Sequence, residues 1–208
     1  GMVNITVSID GFDVTFGSVQ DFNGIETLTF TVNDNQGRDI ASDDVDIIVT
    51  EVNDTPILTM IGDQSTDEDV DGTIALSAFD VDIETNGQTL VFSAMSNDES
   101  LVIVSTETEG DGTTGTLTFD VQNNQNGSTE IEVIVSDGQG RATDSETLTL
   151  TVDPINDAPY FTMDSYTDTV GIELETTITL DGYDIDSETL VYGIHDHPEW
   201  ISIEGNEM

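Results

Sequence analysis

Residues Asn126–Pro159 read NGSTEIEVIVSDGQGRATDSETLTLTVDPINDAP, and residues Asn23–Pro56 read NGIETLTFTVNDNQGRDIASDDVDIIVTEVNDTP. The two stretches align without a gap at a displacement of 103 residues. In both, apolar residues alternate with polar ones around an Asp-rich turn. Ile131, Val133 and Val135 precede the turn and Leu148, Leu150 and Val152 follow it, while Leu28, Phe30 and Val32 repeat the pattern in the earlier copy. Successive side chains of a strand point to opposite faces, so this alternation predicts half-buried antiparallel strands with threonine on the wet face. A period this long is a whole domain and not a solenoid rung. The chain is therefore a tandem array, and its chemistry is expected where one copy meets the next.

Turn signals fall between the alternating runs at Asp71-Gly72, Asn86-Gly87, Asn126-Gly127 and Asp137-Gly138. No segment carries a helical stripe. About seven short strands in roughly 100 residues predict an all-β fold of the sandwich type. We place one complete domain at 55–157. Residues 1–54 carry the closing strands of a preceding copy. Residues 158–208 carry the opening strands of a following one, because Thr177-Ile178-Thr179-Leu180 repeats Thr73-Ile74-Ala75-Leu76 and Asp184-Ile185-Asp186 repeats Asp80-Val81-Asp82, both displaced by 104. Each partial flank is expected to leave strand edges open. The two halves are complementary, so neighbouring chains could complete each other's domains.

The 208 residues hold 44 acidic side chains against two basic ones, Arg38 and Arg141, for a net charge of −42. Phosphate recognition needs Lys and Arg, so nucleic acids and anionic membrane surfaces are excluded as partners. Such charge opposes compaction unless salt screens it or cations bind. Disorder does not follow, because the apolar residues are patterned and make up 36% of the chain. Cysteine is absent, which removes disulfides, thiolate metal sites and thiol nucleophiles. There is neither a signal peptide nor an apolar run long enough to span a bilayer, so no membrane insertion is expected.

Three acidic elements recur with the repeat. The hinge Asn-Asp-x-Pro stands at Asn53-Asp54-Thr55-Pro56 and Asn156-Asp157-Ala158-Pro159; Asp-x-Asp stands at Asp80/Asp82 and Asp184/Asp186; and one aspartate precedes the last strand at Asp34 and Asp137. Each alone also fits an ordinary solvated turn, since Asx side chains bond their own backbone. Together, at one pole of stacked sandwiches, they form an oxygen-only cluster. Ca²⁺ takes six to eight oxygens at about 2.3–2.6 Å, whereas Mg²⁺ prefers few protein ligands and keeps its waters. Zinc does not suit a chain without cysteine and with only His195 and His197 as imidazoles.

The run Gln64 to Asp69, Ala78-Phe79-Asp80-Val81-Asp82, Gly115-Thr116-Leu117-Thr118-Phe119, the turn Ser136-Asp137-Gly138-Gln139-Gly140 and the closing Asn156-Asp157-Ala158-Pro159 carry a resemblance. The chain resembles, over nearly its whole length, the bacterial cadherin-like tandem repeats of very large secreted and surface proteins. From Tyr160 on, with Asp184-Ile185-Asp186 and Pro198-Glu199-Trp200-Ile201-Ser202-Ile203, it looks more like the dystroglycan-type cadherin-like or immunoglobulin-like variety. The resemblance implies tandem Greek-key β-sandwiches at the bacterial outer surface, with Ca²⁺ between domains. Mapped residue by residue, it implies that Asn53, Asp54, Asp80, Asp82 and Asp137 build a first site, with the Thr55 carbonyl as a further oxygen. It implies that Asn156, Asp157, Asp184 and Asp186 build a second, whose hairpin aspartate would lie past Met208. Glu68 matches the early-strand glutamate that reaches the next junction, with Asp67 and Asp69 as competitors. The acidic Asp-Arg-Glu-type segment that gives animal cadherins additional ions is missing, so one ion per junction is expected.

The resulting expectation is a calcium-binding extracellular module acting as a rigid spacer or stalk in surface adhesion. Its partners are neighbouring repeats and, beyond them, cell-surface or matrix glycans or homophilic contacts. The alternative is a carbohydrate-binding module of a secreted polysaccharide-degrading or matrix protein, on which Trp200 could stack a sugar; one Trp, four Tyr and eight Phe are few for that role. An enzyme is not expected. Paired carboxylates would have to face each other across a cleft to hydrolyse a glycoside, and no nucleophile constellation or phosphate-cradling loop occurs. His195 and His197 read as turn histidines.

Overall fold

The structure is a computed structural model that describes residues 4–34, 36, 40–139, 143–163, 167–171, 174, 176–187 and 189–196. Arg38, Gly140, Arg141, His197, Trp200 and the rest of the stretch Pro198 to Ile203 lie outside the described residues.

Among the described residues, four strands precede the first hinge: β1 (Ile5–Asp10), β2 (Asp13–Ser18), β3 (Gly24–Asn33) and β4 (Ile40–Val49). They pair as two antiparallel hairpins, β1 with β2 and β3 with β4. Glu26 joins them by accepting the backbone N–H of both Asn4 and Ile5 at 3.0 Å. Phe16 meets Phe30 edge-on at 6.2 Å between ring centroids.

Between the hinges run β5 (Ile57–Leu58), β6 (Gln64–Asp67), β7 (Gly72–Phe79), the single helical turn α1 (Asp82–Asn86), β8 (Val91–Ser96), β9 (Val102–Glu109), β10 (Thr114–Val121), β11 (Gly127–Ser136) and β12 (Thr143–Asp153). They build two four-stranded sheets, ordered β5-β7-β10-β9 and β6-β12-β11-β8. The first strand is divided: β5 pairs antiparallel with β7, and β6 crosses to pair parallel with β12. Gly62, at φ 73, turns the chain between the sheets. Glu146 pins that crossing by accepting N–H bonds from Ile61 at 2.7 Å and Gly62 at 2.9 Å. Beyond the second hinge, β13 (Tyr160–Phe161) pairs antiparallel with β14 (Gly182–Tyr183).

The core lies between the two central sheets and follows the alternation. Ile131, Val133, Val135, Leu148 and Leu150 are at most 1% exposed, facing Leu117, Phe119 and Val102 of the other sheet. Each such aliphatic side chain contributes about 1.5–3 kcal/mol on leaving water.

Two turn signals resolve differently from a simple hairpin. Asn86-Gly87 closes α1: Gly87 takes φ 70 and its N–H bonds the Ile83 carbonyl at 3.2 Å, while Ile83 packs on the core. A single helical turn is too short to print a 3.6-residue period, so the alternation could not reveal it. At Asp71-Gly72 the reversal lies just ahead, where Asp69 has φ 60. Gly72 is already strand, and glycine is required there because a Cβ would stand 2.2 Å from the Phe119 ring.

Candidate metal centre

At the first junction the loop after β7 places Asp80 and Asp82 in an Asx turn, with the Asp82 N–H donating to Asp80 Oδ1 at 2.9 Å. Asp82 Oδ2 accepts the hinge N–H of Asp54 at 2.7 Å. Asn53 donates from Nδ2 to Asp137 Oδ2 at 2.8 Å and to the Asp54 carbonyl at 2.6 Å. Asp137 sits at the β11–β12 turn, where its Oδ1 accepts the Gln139 N–H at 2.7 Å. Hinge, loop and hairpin turn are thus tied together by side chains 28 to 84 residues apart.

Asp80, Asp82 and Asp137 are buried, at 2%, 3% and 5% exposure. The chain's two arginines, Arg38 and Arg141, lie outside the described residues. Asp80 Oδ2 is buried and has no hydrogen-bond partner, which costs about 1–3 kcal/mol. Burial raises the Asp80 pKa above its ordinary value. The Asp82 N–H bond pulls it back, and the Asp82, Asp137 and Asp54 carboxylates push it up again. A group raised in this way favours the fold at pH below 3.8 and loses that contribution as pH climbs through its folded value.

The second junction repeats three of these bonds. Asn156 Nδ2 donates to the Asp157 carbonyl at 2.6 Å, the Asp157 N–H to Asp186 Oδ2 at 2.5 Å and the Asp186 N–H to Asp184 Oδ1 at 2.9 Å. Glu68, 4% exposed and directly after β6, accepts the Ile155 N–H at 2.6 Å at this junction. Here the orphaned buried oxygen is Asp157 Oδ2. Its pKa is raised by burial and then by the Asp186, Asp69, Glu68 and Asp184 carboxylates.

All ten residues singled out from the sequence therefore stand at the two junctions: five at the first, and Asn156, Asp157, Asp184, Asp186 and Glu68 at the second. No three His, Cys, Asp or Glu side chains among the described residues already form a closed metal cage. Most of the carboxylates are turned onto backbone N–H groups instead. The donor set is nonetheless all oxygen, anionic and short of protons to accept, which fits a hard divalent cation and not zinc.

Two participants escape the motifs. Gln88 donates from Nε2 to Asn53 Oδ1 at 2.7 Å, and its own Oε1 is buried without a partner. Asp21, at φ 58, lines a cavity of about 200 Å³ with Asp54, Thr55 and Asp80. Its counterpart 103 residues on is Asn124, with the same left-handed backbone at φ 54, so no repeated carboxylate marks the position. Asp69 adds to the field on Asp157.

Residues 53–151 match the family model for the bacterial Ig domain. No curated protein matches the chain. Among solved structures it is similar to the protocadherin GammaB4 extracellular domain, at 19% identity over 91% of this chain and 34% of that one, with a TM-score of 0.49. It is similar to domains 4 and 5 of the S-layer protein SbsC, at 16% identity over 72% of this chain and 65% of that one, TM-score 0.38. It is also similar to the endo-fucoidan hydrolase MfFcnA4, at 15% identity over 74% of this chain and 23% of that one, TM-score 0.36. No helix among the described residues is long and apolar enough to cross a membrane.

Proposed function

We propose that the chain is a calcium-stiffened spacer of a bacterial surface or secreted protein, starting from the match of residues 53–151 to the bacterial Ig domain model. Asn53, Asp54, Asp80, Asp82 and Asp137 would hold one Ca²⁺ at the first junction, and Asn156, Asp157, Asp184, Asp186 and Glu68 another at the second. The observation that supports this most is Asp80 Oδ2, buried and unpartnered among the carboxylates of Asp82, Asp137 and Asp54. A buried carboxylate oxygen with no donor and three anionic neighbours is a cost that a bound dication removes.

Without the ion, the carboxylates of hinge and loop repel and the hinge is held to the next unit chiefly by the Asp54–Asp82 and Asn53–Asp137 bonds. The ion's chemistry is charge neutralisation and multidentate oxygen ligation. The chain's residues supply the oxygens from both sides of the hinge, so ligation and fixing of the interdomain angle are the same event. Affinities near 10⁻⁴–10⁻³ M, typical of extracellular modules, would keep the sites filled only where calcium is abundant.

Thermal unfolding in calcium and in sodium at matched ionic strength tests the reading. Millimolar CaCl₂ should raise Tm well beyond NaCl, because ions bound only to the native state stabilise by mass action. Equal Tm in the two salts would reduce the effect to screening and overturn the proposal.

A further inference from the structure

The first junction holds a second orphaned oxygen, and it belongs to an amide. Gln88 Oε1 is buried without a partner, as Asp80 Oδ2 is. The two residues stand at opposite ends of the loop that carries α1. That loop is pinned on both sides of Gln88. Gly87 closes the helical turn on the Ile83 carbonyl at 3.2 Å, and the buried Leu90 donates its N–H to the Asp111 carbonyl at 2.9 Å.

Neighbouring groups dictate which way the amide points. Asn53 faces two acceptors, Asp137 Oδ2 at 2.8 Å and the Asp54 carbonyl at 2.6 Å, and only its Nδ2 can serve them. Asn53 Oδ1 is therefore turned to Gln88 and needs a donor, which Gln88 Nε2 supplies at 2.7 Å. Reversing the Gln88 amide would set two oxygens against each other. With its nitrogen committed to Asn53, Gln88 keeps Oε1 buried and without a proton to accept. Ca²⁺ takes Asn and Gln carbonyl oxygens as ligands.

Internal repetition separates the two halves of the amide. The run Gln88-Thr89-Leu90-Val91 returns as Glu188-Thr189-Leu190-Val191, displaced by 100, after a loop four residues shorter. Glu188 lies outside the described residues. Glutamine and glutamate share a side-chain oxygen at the same reach, but an ionised glutamate has no N–H to donate. What recurs in the sequence is the oxygen and not the donor to the hinge asparagine.

We infer that Gln88 Oε1 is a further, neutral oxygen ligand of the cation at the first junction, an inference that rests on the calcium site proposed above. Asp80 already stands in the field of the Asp54, Asp82 and Asp137 carboxylates. An amide adds an oxygen there without adding a fifth charge that the other four repel. Ligand charge count tunes calcium affinity, so the amide holds this site weaker than an all-carboxylate version of it.

Calorimetric calcium titration of the 1–208 chain tests this, because Gln88→Glu separates a ligand from a prop. The substitution keeps the oxygen, adds a charge and removes the donor to Asn53. As a ligand it should lower the first-site Kd about tenfold. If Gln88 only held Asn53 in place, the same change would raise Kd. Thr89→Glu, exposed and one residue on, adds the same charge away from that oxygen. It should leave Kd within about twofold at physiological salt. Gln88→Met, which carries no oxygen, should raise Kd about tenfold. In EDTA, Gln88→Glu should melt below the native chain, since its charge faces the other carboxylates unneutralised, and the gap should close in calcium. In an Asp80→Ala/Asp82→Ala background, Gln88→Glu should leave the remaining calcium affinity unchanged. A Gln88→Glu chain that binds no tighter than Thr89→Glu overturns the inference. A native chain that binds no more calcium than Asp80→Ala/Asp82→Ala overturns the calcium site as well, so the two failures are told apart. Carbon-13 NMR reads ligation directly: the Gln88 Cδ resonance, identified by its loss in Gln88→Met, should move on calcium addition while those of Gln122 and Gln125 stay. An unmoved Gln88 resonance in a chain whose first site fills also overturns the inference.

Discussion

Replacing Asp80 by Asn should change the sign of its effect with calcium. Asn keeps the Oδ1 acceptor that receives the Asp82 N–H at 2.9 Å. It replaces the unpartnered buried oxygen by a donor group and removes one of the clustered charges of Asp80, Asp82, Asp137 and Asp54. Relief of an unsatisfied buried polar atom is worth about 1–3 kcal/mol. In a domain of roughly 100 residues each kcal/mol moves Tm by about 4–8 °C. In chelator, Asp80→Asn should therefore melt at least about 4 °C above the native chain. In calcium at about a hundredfold over Kd, the native chain gains about 2.7 kcal/mol. The variant forgoes most of that, so its advantage should vanish or reverse. Differential scanning calorimetry in EDTA and in CaCl₂ reads both arms. A variant destabilised equally in both conditions would refute the reasoning, because Asp80 would then be a structural group that calcium does not touch.

Glycine is required at position 112, where φ is 88 and a Cβ would stand 2.0 Å from the Leu90 carbonyl oxygen. Gly112→Ala should cost about 3 kcal/mol or more, against about 1 kcal/mol for Gly110→Ala, which has the same handedness and open space; urea midpoints compare them. Leu117→Ala, at a fully buried site between the sheets, should cost about 2–5 kcal/mol by the same assay. Asp98 and Asp111 have pKa values lowered by the hydroxyl and N–H groups of Ser100 and Thr113 respectively. Their contribution is present above pH 3.8 and is lost as pH falls through the lower folded values, so the double Asn variant should show a shallower loss of stability below pH 3.8 in acid titrations followed by circular dichroism.

The alternation legible at Ile131–Val135 and Leu148–Val152 became β11 and β12 because both strands are buried on one face only, so their pattern carries the sheet geometry. The division of the first strand into β5 and β6 was not legible. It depends on Gly62 and on the distant Glu146 carboxylate, neither of which announces a change of sheet. Candidate ligands were visible where they recur, since Asp80/Asp82 and Asp184/Asp186 keep their spacing between units. Gln88 was not, because its loop is four residues shorter in the third unit. Asp21 was hidden for the opposite reason: the backbone conformation repeats at Asn124 and the carboxylate does not. Repetition reveals what both copies need and conceals what one junction does alone.

Isothermal titration calorimetry of calcium into the native chain and into the Asp80→Ala/Asp82→Ala double variant tests the central claim most directly. The two substitutions remove carboxylates of the first junction and leave Glu68, Asn156, Asp157, Asp184 and Asp186 at the second untouched. The account predicts that the variant binds one calcium fewer than the native chain, with the sandwich folded by circular dichroism. An unchanged stoichiometry in a folded variant would contradict it.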